Sequence, residues 1–346
     1  MSQLDSTQQP AGKPARFSYY FMLLVMALVV GLRLATPLLG ALFTFLALTR
    51  LAFFKRSRKW LAVGIFLILL AGMTYAVGYV VNQTVRALPE IAENSIPAII
   101  AWAKQHGIEL PFTDYDSLRD QALDIVKGEV RYLADFVKFA RGAAAQILYL
   151  AAGCIVAISI YLDPRFELGR EPGVAPDNLY SSCCEEVARR FGTLYQSFVT
   201  VMGAQIVISA INTFLTAIFV LTMRLPHGVV VIGVTFLCGL LPVVGNLLSN
   251  TVVVMIAFTV SPQRALAALV FLVVIHKLEY FLNSKIVGWR IRNPLWLTLL
   301  GLIVGERLLG VPGMILAPVV LNYLKVEASR VGPGAWRRQP SALASV

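Results

Sequence analysis

Long apolar runs separated by short charged joins are the main pattern along this chain. Two runs, Phe17–Leu32 and Leu34–Thr49, follow each other closely, and further runs cover Trp60–Val81 and Ala143–Leu162. Each has about the length of one bilayer crossing, given a helical rise of about 1.5 Å per residue and a hydrocarbon core about 30 Å thick. The pattern predicts four membrane-spanning α-helices, three of them within residues 17–82.

Residues 83–142 depart from this pattern, because they hold nine acids against seven basic residues. Apolar side chains recur there at helical spacing, namely Leu118, Ala122, Ile125, Val126, Leu133, Phe136, Val137 and Ala140. Thr113 and Asp114, two residue types that favour helix N-caps, precede this series. We expect an amphipathic helical segment on the outer face of the membrane. Its role is either packing and oligomer contacts or substrate binding.

The second half contains apolar segments of unusual length. Leu194–Thr222 is one long span and Leu266–Leu282 is an ordinary one. His227–Val260, in contrast, is too long for one crossing and too short for two crossings with a loop. Pro242 and Gly245 lie near the middle of this segment and are expected to break the helix there.

Pro294–Leu324 repeats this arrangement, because glycine-containing turn sequences at 305–307 and 310–313 lie in its middle. Three basic residues within 285–292 indicate that this second segment is entered from the cytoplasmic side. The pattern predicts an inverted repeat with two re-entrant helical hairpins. The alternatives are two kinked spans or segments that lie on the membrane surface. Interrupted segments at corresponding positions of two halves point to the binding site of a transporter.

Composition supports a membrane protein. Hydrophobic residues make up 58% of the 346 residues, charged residues 14%, and the mean hydropathy is +0.72. Soluble domains carry about 45–50% apolar and about 25% charged residues, so a soluble core could not hold this excess. The net charge of +11 comes from basic residues at the ends of apolar runs and not from a stripe with interleaved aromatics. It therefore indicates membrane topology and not nucleic-acid binding.

The basic residues also give an orientation. Five cations between residues 50 and 59 predict a cytoplasmic loop, which places the N-terminus in the cytoplasm as well. We expect an all-α, multi-pass protein of the bacterial cytoplasmic (inner) membrane with about six to eight transmembrane helices and both termini in the cytoplasm. The predicted parts are a disordered tail (1–16), three transmembrane helices (17–82), outer amphipathic helices (83–142), a transmembrane helix (143–162), a cytoplasmic connection (163–192), a transport-type membrane domain with broken helices (193–325) and a disordered cytoplasmic tail (326–346).

The second half also carries a family resemblance. Its residues are the stretch Gly239–Asn246, Glu279 near the end of a span, Gly288, Asn293, Pro294, Gly301, Gly305, the stretch Gly310–Gly313 and Pro318. In order and spacing they resemble the C-terminal half of the autoinducer-2 exporter family of bacterial permeases. Pro37, Gln205 and the outer helical segment extend the likeness to roughly residues 17–325.

This chain departs from the family pattern at three places. Family members usually show Pro-Tyr-x-Gly-Pro where this chain has Pro242–Asn246, and usually show Gln and Pro where His276 and Lys285 stand. The resemblance implies export of a small polar signalling molecule or, in some members, exchange of sodium or lithium for protons. It also implies a homo-oligomer.

Glu279 is the main candidate for a functional residue. It is one of three acids after residue 186, and His276 precedes it by three positions, so both share one helix face. Together they could relay protons or hold a cation. The alternative is that Glu279 pairs with Lys277 or Arg290 near the cytoplasmic surface.

The candidate substrate or ion pathway consists of Glu279, His276, Asn246, Glu306, Pro242, Gly245 and Gln205. Glu306 is expected at the tip of the second hairpin, or else on a plain surface turn. Asn246 is expected at the broken helix, whereas hydrogen bonding between helices is the favoured explanation for Gln205 and Asn212.

Motifs that would indicate an enzyme are absent from the sequence. There is no GxxxxGK[ST], GxSxG or HExxH pattern and no spacing typical of a metal site, so we expect no enzyme and no cofactor. The predicted function is secondary transport of a small polar molecule, with the lipid bilayer, the substrate and protons or sodium as partners. The alternatives are a sodium or other monovalent cation/proton antiporter and a membrane scaffold that transports nothing.

Overall fold

The computed structural model describes residues 13–51, 59–107, 132–163, 179–241, 244–287 and 294–330. Every regular element within these residues is an α-helix. The helices are α1 (Lys13–Gly31), α2 (Ala35–Leu51), α3 (Lys59–Gln105), α4 (Tyr132–Leu162), α5 (Leu179–Thr222), α6 (Gly228–Gly239), α7 (Val244–Val260), α8 (Pro262–Val287), α9 (Leu295–Leu309) and α10 (Val311–Arg330).

Five helices of the described part are long and apolar enough to cross a membrane, judged by length and composition. They lie at Pro14–Gly31, Lys59–Ala87, Ala145–Leu162, Leu179–Thr222 and Val311–Arg330, and three shorter apolar helices lie at Ala35–Leu51, Gly228–Gly239 and Gly245–Val260. Large apolar side chains on these helices stay uncovered, and Ile68 and Leu221 are each 74% exposed. Apolar surface on this scale indicates lipid as the solvent. The predicted all-α, polytopic membrane fold is therefore confirmed.

Helix α3 is longer than the span predicted from hydropathy. It continues without a break from Lys59 to Gln105 and so passes the predicted boundary at residue 82. The continuation buries Ala87, Ile91, Ile96, Ile100 and Ala103, which recur at intervals of three to five residues. Thr113, Asp114 and the first half of the predicted amphipathic series lie outside the described residues, and the second half falls within α4.

Three helices continue into charged sequence beyond the predicted membrane segments. Helix α1 begins at Lys13, inside the predicted tail, and α10 continues to Arg330, beyond the predicted boundary at 325. Helix α5 begins at Leu179, inside the predicted connection. Hydropathy identifies the residues that can lie in lipid. A helix can extend past the membrane when charged side chains pair along its surface.

The chain divides into two compact units. Unit 1 consists of residues 1–46, 149–199 and 293–346, and unit 2 consists of residues 47–148 and 200–292.

In unit 1, α9 and α10 form an antiparallel helical hairpin. Gly310 joins them at φ +66°, a backbone conformation that glycine adopts without steric cost. A Cβ atom at Gly313 would overlap the carbonyl oxygen of Gly305, and one at Gly301 would lie 2.8 Å from Cδ1 of Leu321. The two backbones are therefore in close contact, and the break predicted within 294–324 falls at Gly310.

In unit 2, α6 and α7 form a second antiparallel hairpin. Val230 and Val231 near the start of α6 share a buried cluster with Val253 and Ile256 in the second half of α7. At about 1.5 Å per residue, the 12 residues of α6 span about 18 Å and the 17 residues of α7 about 26 Å. Each helix is therefore shorter than a hydrocarbon core about 30 Å thick.

Candidate functional site

The C-terminal end of α6 is bound by side chains of α5. Because a helix leaves its last carbonyl groups without intrahelical partners, the end of α6 needs hydrogen-bond donors from elsewhere. Gln205 Nε2 donates to the carbonyl oxygen of Gly239 at 2.6 Å, and Ser209 Oγ donates to that of Phe236 at 2.9 Å.

The turn after α6 supplies the other donors. The Leu240 N–H donates to the carbonyl oxygen of Leu237 at 3.3 Å, and the Leu241 N–H donates to that of Cys238 at 2.8 Å. Each of the last four carbonyl groups of α6 therefore has a partner, and two of these partners are α5 side chains.

Gly245 allows the hairpin to close tightly. A Cβ atom at this position would overlap the carbonyl oxygen of Cys238, so a residue with a side chain does not fit without movement of the backbone. The close approach of the two backbones places Asn246 in the first turn of α7, next to the broken region.

Asn246 and Asn212 both hold the carboxylate of Glu279. Asn246 Nδ2 lies 2.8 Å from each carboxylate oxygen, and Asn212 Nδ2 lies 3.3 Å from Oε2. The side chain of Glu279 is only 14% exposed. Hydrogen bonds to an ionised group are stronger than neutral ones, so α5, α7 and α8 are joined at this carboxylate.

The α5 contribution comes from one face of the helix. Gln205, Ser209 and Asn212 are spaced by four and three residues, which places them on the same side. Sequence reasoning named Gln205 and Asn212 singly but missed Ser209, although the spacing of the three residues was a detectable signal.

Among the other predicted site residues, His276 also lies near Glu279. Its Nδ1 is 4.0 Å from Oε2 of Glu279, and its side chain is 64% exposed. Among the described residues Glu279 has no contact with Lys277, one of its two predicted alternative partners, and the other, Arg290, lies outside those residues.

Pro242 and Glu306 are the remaining predicted site residues. Pro242 lies outside the described residues, and Glu306 belongs to unit 1, where it is exposed on α9 one turn before Gly310. The described residues contain no group of three or more His, Cys, Asp or Glu side chains that could hold a metal ion.

Unit 1 contains an ion pair that sequence reasoning missed. Arg190 on α5 donates to Glu327 on α10, and the two side chains are 4% and 5% exposed. The Arg190 guanidinium also lies 4.0 Å from the ring centroid of Tyr19, and its Nε is 3.3 Å from Ser18 Oγ on α1. This buried pair therefore joins three helices that are distant in sequence.

Exposed and half-buried charges surround the buried pair. Arg330 Nη1 lies 3.4 Å from Glu327 Oε1 and donates to Thr193 Oγ1 at 2.9 Å, and Arg190 Nη2 lies 3.4 Å from Glu186 Oε2. The available signal was the presence of Glu327, an acid at the end of an apolar run in a half with few acids.

A family model described as AI-2E family transporter matches residues 17–329. The chain belongs to the AI-2E transporter family. The resemblance predicted from the sequence is thereby confirmed, and the apolar helices agree with a multi-pass membrane protein. A stretch of 142 residues is 29% identical to the Bacillus subtilis (strain 168) protein named "Putative transport protein YdbI". That stretch covers 40% of this chain and 41% of the relative, so it spans about two fifths of the relative's length.

Proposed function

We propose that this AI-2E family member is a secondary transporter that moves a small polar molecule across the bacterial cytoplasmic membrane. Glu279 is the group that couples transport to protons or to a monovalent cation. The observation that carries the proposal is the largely buried carboxylate of Glu279, held by Asn246 and Asn212 beside the break between α6 and α7.

The cost of a carboxylate in this position favours a functional role. In the proposed re-entrant arrangement Glu279 lies within the bilayer, where an acid at the centre costs about 2.5–3.5 kcal/mol on insertion scales. Glutamine would keep the shape and the hydrogen bonding without that cost. Among the described residues Glu279 has amide partners and His276 but no lysine or arginine partner. A proton or a cation can therefore neutralise it without first breaking a salt bridge to any basic side chain of the described residues.

The ends of the α6–α7 hairpin support a re-entrant arrangement. Arg224 precedes α6 and Arg264 follows the first residues of α8, and Arg264 Nη1 lies 3.4 Å from the carbonyl oxygen of Arg224. The hairpin thus starts and ends at one place, as a segment that enters and leaves on the same side of the membrane would. Alternating access around this hairpin is the mechanism we propose, with the site at its broken end.

Flux through proteoliposomes tests the function. The purified protein is reconstituted, and polar metabolites and sodium are screened with and without a proton gradient. We expect flux that depends on the gradient and falls to the level of empty vesicles in Glu279→Gln. Glu185→Gln removes an exposed acid of α5 in unit 1 and should leave flux unchanged. Normal flux and an unchanged pH profile in Glu279→Gln would refute the coupling role.

The same screen separates the two other functions. Proton movement driven by sodium alone, with no organic substrate, would indicate a cation/proton antiporter that uses the same carboxylate. Absence of any flux under every gradient would favour a scaffold. The homo-oligomer that the resemblance implied and the cytoplasmic position of both termini stay predictions.

A further inference from the structure

Asn212 has one polar atom that the structure leaves unused. The residue is 6% exposed, and its Nδ2 is directed at Glu279 Oε2, 3.3 Å away. Its Oδ1 is buried and has no hydrogen-bond partner among the described residues. A buried acceptor without a donor is unfavourable, so its position beside an ionisable group points to a second use for the amide.

Asn246 makes a different contact with the same carboxylate. Its Nδ2 is equally close, at 2.8 Å, to both oxygens of Glu279. This contact suits either protonation state, because one oxygen of a carboxylic acid still accepts a hydrogen bond. Asn212 approaches only one carboxylate oxygen, Oε2. A proton added to that oxygen would point at the Asn212 N–H group, so two donors would face each other.

We propose that Asn212 is a positioning residue that follows the protonation state of Glu279. It donates through Nδ2 to the carboxylate and, after a half turn of its amide, accepts through Oδ1 from the carboxylic acid. The inference rests on the proposed function only in that Glu279 takes up a proton. The half turn occurs about a terminal torsion whose preferences are broad and roughly two-fold, so it needs no movement of α5.

The energetic comparison favours the half turn. In either orientation one polar atom of Asn212 is bonded to Glu279 and the other is left without a partner, so the cost of the unpaired atom nearly cancels. With the proton on Oε2, a fixed amide would instead lose its hydrogen bond to Glu279 and bring two donors together. The rotating amide keeps the carboxyl group hydrogen-bonded in both states, and a leucine of the same size could do so in neither.

His276 is the titratable group of the described residues that faces Glu279, at 4.0 Å. The neighbouring parts of unit 2 have few others. Residues 200–222 of α5 and 244–260 of α7 contain no Asp, Glu, Lys, Arg or His, and α6 contains the Cys238 thiol. The charged groups with described contacts on the packed elements are engaged elsewhere, since Glu90 on α3 lies 3.8 Å from His227 and Arg264 on α8 lies beside the Arg224 carbonyl.

Infrared difference spectroscopy tests the proposal without any transport assay. The full-length protein, with asparagine carrying ¹³C in its side-chain carbonyl, is acidified in liposomes. We expect one asparagine C=O band to move to lower frequency as Glu279 is protonated, because that carbonyl gains a donor. The shift should disappear in Asn212→Leu and persist in Asn250→Leu, which removes a neighbouring asparagine of α7. In Glu279→Gln the band should lie at the lower frequency at every pH, since the glutamine amide donates permanently.

Several results would overturn the proposal. A shift that is lost in Asn246→Leu but kept in Asn212→Leu would assign the acceptor to the other asparagine. Absence of any asparagine shift in the wild-type protein would refute the half turn, even if Asn212→Leu failed to fold. The outcome is independent of flux. A protein that shows the shift without transporting any substrate would refute the proposed function and leave the role of Asn212 intact.

Discussion

The ion pair between Arg190 and Glu327 gives the most direct test of packing in unit 1. We consider two single substitutions, Arg190→Met and Glu327→Leu, and their combination. Each single change leaves one charge in a site where its side chain is about nineteen-twentieths buried. The combination removes both charges and fills the site with apolar side chains of similar length.

The remaining contacts set the expected magnitude. Removal of one partner of a buried pair costs about 3–5 kcal/mol, because the other charge stays buried without compensation. After Glu327→Leu, Arg190 keeps Glu186 at 3.4 Å, and after Arg190→Met, Glu327 keeps Arg330 at 3.4 Å. Glu186 and Arg330 are 24% and 51% exposed, so their compensation is partial. We therefore expect a loss of about 3 kcal/mol for each single variant, and a double variant within about 1 kcal/mol of wild type.

Unfolding in mixed micelles with an increasing fraction of a denaturing detergent, followed by tryptophan fluorescence, measures these differences in the free energy of unfolding. Arg189→Met is the matched control, because Arg189 is 54% exposed in its pair with Glu186 and should cost at most about 1 kcal/mol. If each single variant lost less than 1 kcal/mol, or if the double variant lost the sum of both, the argument from an uncompensated buried charge would be wrong.

Two other features give testable expectations. Gly245→Ala should lower the free energy of unfolding by about 1–3 kcal/mol, because the added Cβ meets the Cys238 carbonyl group. Gly64→Ala should be neutral or stabilising, because the space around Gly64 is open. The same unfolding assay checks both variants, and equal effects would contradict the close approach at Gly245. In a protein without native cysteines, Arg224→Cys and Gln263→Cys should react with an impermeant maleimide from the same side of the membrane, whereas reaction from opposite sides would make α6 and α7 one kinked crossing.

The sequence allowed prediction of those features that depend on local properties. Apolar runs of bilayer length predicted the helices, and Pro242, Gly245 and Gly310 predicted the breaks, because proline and glycine act on the backbone where they stand. The residues that line the broken end of α6 were predicted only in part. Glu279 and Asn246 were selected for their charge or position, and the structure brings them together.

The missed features depend on contacts between distant residues. Asn212 and Glu279 are 67 positions apart, and Arg190 and Glu327 are 137 apart, so neither pair leaves a local signal. Helix α5 also continues beyond the predicted span into charged sequence, where Glu186 and Arg190 pair one turn apart. Hydropathy cannot detect such a continuation, since the paired charges lower the apolar content while they support the helix.

The order of residues along the chain has a consequence for biosynthesis. Asn212, Asn246 and Glu279 are made in that order, and the parts of α5 and α7 that carry the two asparagines in unit 2 contain no charged residue. Both helices can therefore enter the bilayer before the ribosome has completed α8. The carboxylate, which is the costly group to insert, then arrives where its amide donors already exist. In a circularly permuted chain with α8 ahead of α5, the same carboxylate would enter the lipid before the amide groups of Asn212 and Asn246 had been made.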